Sequence, residues 1–486
     1  MEYWTARRLV DELRARRLSA SELLEHTIGR IEARDRVLNA VVVRDFDRAR
    51  EAARSADQAL AAGDRRPLLG LPITVKEAFN VAGLPTTWGL PGTDQIPIAE
   101  DAVVVARLKA AGAIIIGKTN VPTMLADWQC ANPVYGVTRN PWDLERTPGG
   151  SSGGGAAALA AGFVALEFGS DLAASLRAPA HFCGVYAHKP SYGVIPTRGF
   201  VPPGVPALSP APAIDLSVLG PMARSPGDLA LALEAAAGPD EHEAVGYRLN
   251  LPAARHAQLS DYRVLVLDRH PLAPTADSIR AAIDGLADRL GAAGCTVGRS
   301  SPLLPDLAEI TALFIELLMS IFSADAPDEA YAQARAAADR LPSTVDPLTA
   351  AAVRGPALSH RDWLRADRRR AGVAHQWRQL FKEWDVVLCP AMSTNAPPLR
   401  DPAGGPDMIE VDGVRMAYQQ QPTWASIATL NGLPATVAPI GLDPRGLPMG
   451  VQVIGPFLED RTTIGFAGLM EQAFGGFSPP PGYAAG

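Results

Sequence analysis

Hydrophobic and polar residues follow two spacings that recur over most of the chain. Ser19 followed by Glu22 has the spacing of a capping box and predicts an amphipathic helix through about Arg34. Residues 102–111 also have helical spacing. Short apolar runs predict strands: LNAVVVR near residue 40, LPITVK near 73 and AIIIGK near 115. This alternation predicts the α/β class, with a mixed, twisted sheet surrounded by helices.

A connector rich in proline follows Ser191. Proline lacks an amide donor and fixes φ, so we expect residues 194–215 to form an extended loop. Residues 275–293 and 304–382 carry Ala, Leu and Arg at helical spacing. The apolar run 386–390 predicts another strand, followed by a polar loop near 395–415.

The length of 486 residues exceeds what one ordinary core supports, although large single α/β domains of this size occur. We expect a single large domain over 1–486 with an inserted or appended subdomain. Within it we expect four regions: an N-terminal helical region (1–65), a core with the Ser/Gly-rich segment (66–235), a helical cover subdomain (300–382) and a C-terminal return to the core (383–475).

The charge and composition exclude several classes of protein. Hydrophobic residues make up 47% of the chain, charged residues 20%, and the net charge is −7. A chain without a basic excess does not attract phosphate backbones, so nucleic acid is not an expected partner. The charged N-terminus resembles no signal peptide, and no apolar run reaches the roughly 20 residues that span a bilayer. We expect a cytoplasmic protein without a membrane partner.

Cysteine and histidine spacings give no metal or disulfide pattern. The cysteines form no Cys-x-x-Cys pair, and the histidines form no His-x-x-x-His pair. Cys183 and Cys389 lie in apolar surroundings, which favours buried packing over catalysis. We expect neither a metal nor a cofactor.

A Gly/Ser-rich loop at 148–155 carries the strongest signal for chemistry. It is not a phosphate-binding P-loop, because no lysine follows its glycines before Lys189. Gly149 to Gly153 match the Gly-x-Ser-x-Gly elbow, which would make Ser151 the nucleophile. An elbow follows an apolar strand, however, whereas the polar segment NPWDLERTP precedes this loop.

Several segments together resemble the amidase signature family. The loop GGSSGG lies at 149–154, ASLR at 174–177, and the lysine strand LPITVK at 71–76. Further matching segments are GKTNVP (117–122), YGVTRNPWD (135–143), CGVYAHKPSYG (183–193), GPMARS (220–225) and NGLPATVAPIG with GLPMGVQVIG (431–455). The resemblance covers nearly the whole chain, is weakest at 240–380, and implies the fold of that family.

The resemblance implies a Ser-Ser-Lys triad. Ser175 would be the nucleophile, Ser151 the bridging serine and Lys76 the base, with a cis peptide between Gly150 and Ser151. A serine hydroxyl needs a base to remove its proton, and lysine serves only when neutral. Burial lowers a lysine pKa from about 10.4, which suits Lys76 at the end of an apolar strand. Glu77 is adjacent, but successive strand side chains point to opposite faces.

The oxyanion of the tetrahedral intermediate needs donors in the turn before Ser175. The candidates are the backbone amides of Leu172, Ala173, Ala174 and Ser175. The family pattern has two glycines where this chain has Ala173 and Ala174. A positive φ there would be penalised, or the methyl groups would narrow the acyl pocket. We favour the narrowing, with activity retained.

Other polar residues near the triad are given structural roles. Asp171 and Arg177 are expected to brace the turn, and Ser152 to hydrogen-bond the loop backbone next to Gly150. His181 and His188 lie where the family uses packing and loop residues, so a catalytic histidine is the weaker interpretation.

The substrate site is less defined. Met124, Leu125 and Trp128 follow the GKTN segment, and Phe314, Met319 and Phe322 lie in the predicted cover. These six side chains are candidates for a pocket that binds an alkyl or aryl group, with ordinary core packing as the alternative. No arginine pair that would bind a carboxylate is evident.

Three functions follow from this pattern. The first is a serine amidase that cleaves a small, largely apolar or aryl carboxamide or anilide, and also esters or carbamates. The second is the glutaminase-type subunit of an amidotransferase, which would need a partner-docking surface and a polar glutamine site. The third is a catalytically silent binding protein of the same fold, against which the three triad residues together argue. A homodimer is common among the enzymes that the chain resembles.

Overall fold

The computed structural model describes residues 1–210, 214–401 and 407–484. The predicted connector 194–215, the predicted loop 395–415 and the domain prediction for 1–486 therefore lie partly outside the described residues. The described part of the connector forms neither helix nor strand, as its prolines predict. No helix in the described ranges is both long and apolar enough to cross a membrane.

Strands occur from the N-terminal region to the C-terminal region. They are β1 (Val41–Arg44), β2 (Pro72–Lys76), β3 (Ile114–Thr119), β4 (Ala131–Asn132), β5 (Gly136–Val137), β6 (Leu166–Asp171), β7 (Tyr186–Lys189), β8 (Val218–Ala223), β9 (Arg263–Val266), β10 (Thr296–Gly298), β11 (Val386–Pro390), β12 (Met408–Val411), β13 (Val414–Ala417), β14 (Ala435–Leu442) and β15 (Pro448–Ile454).

Helices precede and separate these strands, singly or in groups. They are α1 (Ala6–Arg14), α2 (Ala20–Leu38), α3 (Phe46–Ala61), α4 (Val103–Ala110), α5 (Gly153–Ala160), α6 (Arg177–Cys183), α7 (Pro226–Ala236), α8 (Asp277–Ala292), α9 (Leu307–Phe322), α10 (Asp328–Asp339), α11 (Pro347–Arg354), α12 (His360–Glu383), α13 (Thr423–Thr429) and α14 (Asp460–Phe474). Short 3-10 turns join some of them.

Eleven of the described strands form one sheet, in the order β1-β3-β2-β6-β8-β7-β14-β15-β11-β9-β10. Strand β2 pairs in parallel with both β3 and β6, and β9 pairs in parallel with β10 and β11. The other neighbours are antiparallel. The predicted mixed sheet is confirmed, and β1 of the N-terminal helical region forms one of its edges.

The capping box at the start of α2 is present. Ser19 accepts a hydrogen bond from the Glu22 amide, and the Glu22 carboxylate accepts one from the Ser19 amide. The helix continues beyond the predicted Arg34 to Leu38, which is buried. It ends where Asn39 adopts a left-handed conformation with φ 56°, which asparagine tolerates well.

Alternate residues of the strands pack into two hydrophobic clusters. In β11, Val386 and Leu388 join the larger cluster, whereas Val387 and Cys389 join a second cluster with residues of α9 and α12. This period of two is what a strand with two covered faces requires. Helices α9 to α12 occupy the region predicted as a helical cover.

The prediction of a polar loop near 395–415 was wrong for its last part. Strands β12 and β13 form a hairpin there, joined by Asp412 and Gly413 with φ of 48° and 80°. Asp-Gly is a strong signal for a two-residue hairpin turn, because both positions need positive φ. The surrounding alternation in MIEVDGVRMA was therefore sufficient to predict the hairpin.

Candidate active site

The three predicted triad residues lie on neighbouring elements. Lys76 ends β2, Ser151 lies in the loop before α5, and Ser175 lies in the turn between β6 and α6. Because β2 and β6 are parallel neighbours, the carboxyl ends of both strands lie at the same edge of the sheet. The amide of Ser152 donates to the carbonyl of Ser175 over 3.1 Å, so the Gly/Ser loop and the turn are in direct contact.

Lys76 is hydrogen-bonded to two serines. Its Nζ lies 2.6 Å from Ser151 Oγ and 2.9 Å from Ser170 Oγ, and the lysine is completely buried. Ser170 was not among the residues predicted from the sequence. The available signal was its position next to Asp171 at the end of β6.

Burial lowers the pKa of Lys76 to about 7. Asp171 and Glu167 oppose this shift, but burial also raises the pKa of Glu167 to about 8, so that this carboxyl is mostly neutral near pH 7. Glu77 faces away, as predicted, and accepts hydrogen bonds from the amides of Thr87 and Trp88 over 2.8 and 3.0 Å. About half of the Lys76 side chains are therefore neutral near pH 7, and most are neutral above it.

The Gly/Ser loop is held against its surroundings by close backbone contacts. The Gly150–Ser151 peptide is cis. A Cβ at Gly150 would lie 2.9 Å from the Gln129 amide nitrogen, and one at Gly149, where φ is +87°, would lie 2.8 Å from the Pro179 backbone. Ser152 Oγ lies 3.3 Å from the Ser170 carbonyl oxygen on β6, whereas a contact with the backbone of its own loop was expected. Larger residues at 149 and 150 would displace Ser151.

Asp171 and Arg177 form a buried, bidentate ion pair below the turn. Arg177 Nη2 donates to Asp171 Oδ1 over 2.8 Å, and its Nε donates to Oδ2 over 3.0 Å. Arg177 also donates to the Ala425 carbonyl, to Gln452 and to Thr429, which lie on C-terminal elements. The predicted brace is present and connects the turn to α13 and β15.

The turn corrects two expectations about the oxyanion donors. The amide of Ala174 donates to Asp171 Oδ1 over 3.1 Å, so it already has an acceptor. In the part of the chain that the structure describes, the amides of Leu172, Ala173 and Ser175 have no protein acceptor. Ala174 has φ 79°, so the costly positive φ, which was the less favoured of the two expectations, is present at this residue. Ala173 lines the cavity described next, where the favoured narrowing of the acyl pocket was expected.

A cavity of about 400 Å³ leads to Ser175. Its lining is mainly apolar and comes from residues 125–128, the turn, α9, α11 and residues 417–423. Of the residues predicted for substrate binding, four line it: Leu125, Trp128, Met319 and Phe322.

Met124 and Phe314 are not brought to this cavity. Met124 is 41% exposed and does not line the cavity, although the next residue, Leu125, does. Phe314 is fully buried on the side of α9 that carries Ile310 and Leu317, whereas Ile315, Met319 and Phe322 form the side that lines the cavity. The helical phase separates the two groups, and this phase depends on where α9 packs.

The histidines and cysteines near the site have structural contacts. His181 Nδ1 accepts from the Gly450 amide over 2.8 Å, and burial lowers the pKa of His181 to about 4. His188 bonds to Asp460 and Thr436. All four cysteines are buried, as predicted for Cys183 and Cys389.

Comparisons with known proteins agree with this fold. The family model for amidases matches residues 22–464. The chain is 35% identical over 477 residues to a putative amidase, AmiB2, of Mycobacterium tuberculosis (strain ATCC 25618 / H37Rv), covering 94% of this chain and 93% of that protein. It is 33% identical over 503 residues to a glutamyl-tRNA(Gln) amidotransferase subunit of Anaeromyxobacter sp. (strain K), covering 96% and 95%.

A solved structure of an amidase superposes with a TM-score of 0.75 at 28% identity, covering 97% of this chain and all of that one. The chain therefore belongs to the amidase signature family of hydrolases.

Proposed function

We propose that the protein is a serine amidase that works through an acyl-enzyme, with Ser175 as nucleophile, Ser151 as bridging serine and Lys76 as base. The observation that carries the proposal is the 2.6 Å contact between the buried Lys76 Nζ and Ser151 Oγ. A neutral amine can accept the hydroxyl proton over that distance, which makes a base of a residue that is ordinarily an acid at neutral pH.

In the proposed first step, Ser175 Oγ attacks the amide carbonyl as its proton passes to Ser151 and the Ser151 proton passes to Lys76. The amides of Leu172, Ala173 or Ser175 stabilise the oxyanion, since these three have no other acceptor in the described chain. The proton returns along the same path to the leaving amine, and the C–N bond breaks. Water then attacks the acyl-enzyme by the same relay and releases the carboxylate.

The substrate is a small carboxamide or anilide with an apolar or aryl part, and esters and carbamates of that shape are also candidates. This follows from the cavity, whose walls include Trp128, Leu318 and Phe322. Its volume of about 400 Å³ suits a small molecule rather than a folded protein or polymer.

Two alternatives have less support. A glutamine site would need a cation for the substrate α-carboxylate, and no lysine or arginine is among the described residues that line the cavity. A silent binding protein would not need a buried lysine within 2.6 Å of a serine hydroxyl. A homodimer remains a prediction from the family resemblance.

The test is covalent labelling with a fluorophosphonate, followed by peptide mass spectrometry and by hydrolysis of p-nitroacetanilide. Wild type is expected to be labelled at Ser175, and Ser175→Ala and Lys76→Met to lose about 10⁴-fold in rate or more. Lys189→Met is the matched control, because Lys189 is also completely buried, has a pKa lowered to about 7 by burial, and donates to the Pro190 carbonyl rather than to a serine.

Labelling at Ser151 instead would support the elbow interpretation and contradict the triad. If Lys76→Met and Lys189→Met lose equal amounts of activity and both unfold, the loss of activity would come from destabilisation of the fold and not from removal of the base. Circular dichroism of each variant separates these outcomes.

A further inference from the structure

One charged residue lines the otherwise uncharged cavity. Among the described residues that line it, Asp127 is the single ionisable carboxylate, and the others are apolar or carry a neutral polar group. A carboxylate on a mainly apolar wall is stable only when it keeps water or finds a charged or hydrogen-bonding partner.

The protein holds this carboxylate in one orientation through one of its oxygens. Asp127 Oδ1 accepts hydrogen bonds from the Tyr418 hydroxyl over 2.5 Å and from the Trp128 amide over 2.7 Å. The Tyr418 ring packs edge-on against Trp128 at 5.7 Å between centroids. In the described ranges, no protein group donates to Asp127 Oδ2, so this oxygen can accept from a ligand.

Asp127 also lies close to the reacting groups. The indole nitrogen of Trp128 donates to the Ala173 carbonyl over 2.8 Å, which joins this segment to the turn that carries Ser175. The Asp127 carbonyl oxygen is also among the atoms nearest to the position that a Cβ on Gly150 would take. Residues 127 and 128 therefore adjoin both serine loops, and Asp127 and Ser175 line the same cavity.

The Asp127 carboxylate forms no ion pair with the described residues. Within 4.0 Å of Asp127, the described residues supply no lysine, arginine or histidine nitrogen. The nearest stacked cation is Arg400, whose guanidinium lies over the Tyr418 ring at 3.7 Å from the centroid and 4.0 Å from Asp407. Arg400 therefore supports Tyr418, which in turn positions Asp127.

We propose that Asp127 is a specificity-determining residue that binds a cationic amine of the substrate, so that the preferred amide carries a primary ammonium group beside its apolar part. This inference rests on the proposed amidase function, which it makes more specific. A charge-assisted hydrogen bond to an ammonium group corresponds to roughly 10- to 100-fold in binding.

The experiment compares pairs of substrates of equal length. One pair carries the charge on the acyl side: 6-aminohexanoyl and heptanoyl p-nitroanilide. The other carries it on the amine side: the hexanoyl amides of 1,6-diaminohexane and heptylamine. The readout is the ratio of kcat/KM for the charged and the neutral member, in wild type and in Asp127→Asn, which keeps the shape and removes the charge.

In wild type, the charged member is expected to be preferred by about 10-fold or more in one pair, and that preference is expected to fall to near unity in Asp127→Asn. Asp47→Asn is the control, because it removes a fully exposed carboxylate that neither lines the cavity nor contacts the residues that hold Asp127. It is expected to keep the wild-type ratio. A neutral preference in both pairs, or a cationic preference that survives in Asp127→Asn, would overturn the inference.

A binding measurement keeps the test independent of catalysis. Calorimetric titration with hexylammonium and with 1-hexanol is expected to show tighter binding of the cation to wild type and to Ser175→Ala, but not to Asp127→Asn. If fluorophosphonate labels Ser175 and hexylammonium does not bind, the inference at Asp127 fails and the amidase proposal stands. If hexylammonium binds through Asp127 and no serine is labelled, the amidase proposal fails instead.

Discussion

The polar floor of the site and the wall of its cavity are built in opposite ways. The floor, defined as Lys76, Ser151, Ser170 and Ser175, is at most 8% exposed and lies on elements of the sheet and the loops next to it. The wall, defined as Ile315, Met319 and Phe322, comes from the cover helix α9; all three side chains are at least partly exposed, and Phe322 is 52% exposed.

This difference teaches where each part of the function resides. Buried hydrogen bonds with several partners fix atoms within fractions of an ångström, which proton transfer requires. Partly exposed apolar side chains on a separate helical layer tolerate exchange at little cost in stability. In the proposed mechanism the floor therefore carries out the reaction, whereas the wall and Asp127 are proposed to select the amide.

The largest expected effect is the loss of unfolding free energy when Arg177, which supports the turn beside the floor, is replaced. Arg177→Met leaves Asp171 as a buried carboxylate without its partner, which costs about 3–5 kcal/mol of unfolding free energy. Urea denaturation measures it. The control is Arg365→Met, which removes an exposed pair with Asp362 and is expected to cost less than about 1 kcal/mol. Similar costs for the two variants would contradict a stabilising brace.

The next prediction uses the pH dependence of kcat/KM to distinguish the floor from the wall. Because the pKa of Lys76 is lowered to about 7, the lysine is neutral above pH 7 and protonated below it. The expected kcat/KM for a neutral amide is level above pH 7 and falls about tenfold per pH unit below it. A profile from pH 5 to 9 measures this.

The control for this profile is Phe322→Ala, which changes the wall and is expected to keep the same midpoint. A midpoint that moves in Phe322→Ala, or a rate that rises as the pH falls, would exclude Lys76 as the base.

A smaller effect sharpens the role of the wall. Phe322→Ala removes an aryl contact from the cavity, and because the side chain is half exposed, the loss is about 1 kcal/mol, or roughly fivefold in kcat/KM for an anilide. Phe457→Ala is matched in exposure, at 47%, and lies outside the described cavity lining. Anilide kinetics that are equally affected in both variants would remove Phe322 from the substrate site.

The smallest effect concerns the turn itself. Ala174 has φ 79°, where a Cβ costs about 1–2 kcal/mol, so Ala174→Gly is expected to raise the unfolding free energy by about 0.5–1 kcal/mol after the entropy cost of glycine. Ala173→Gly, at a residue without positive φ, is expected to have the opposite sign. Thermal unfolding of both variants checks this, and a loss in Ala174→Gly would contradict strain at this residue.

Sequence patterns predicted the fold class well because they are local. The capping box at Ser19 and the strand runs at 72–76 and 114–119 depend on neighbours within one element. Even the missed hairpin had a local signal, in Asp412 and Gly413. The candidates Lys76, Ser151 and Ser175 came from motifs that are equally local, through the family resemblance.

The sequence by itself thus determined the α/β architecture, the triad candidates and the pairing of Asp171 with Arg177. Only the tertiary structure decided that Ser170 reaches Lys76, that the Ala174 amide is taken by Asp171, and that Asp127 rather than Met124 lines the cavity. It also decided that Phe314 packs in the core while Phe322 lines the cavity. The physical reason is that these contacts depend on the phase of helices and turns against distant elements, which no spacing along the chain records.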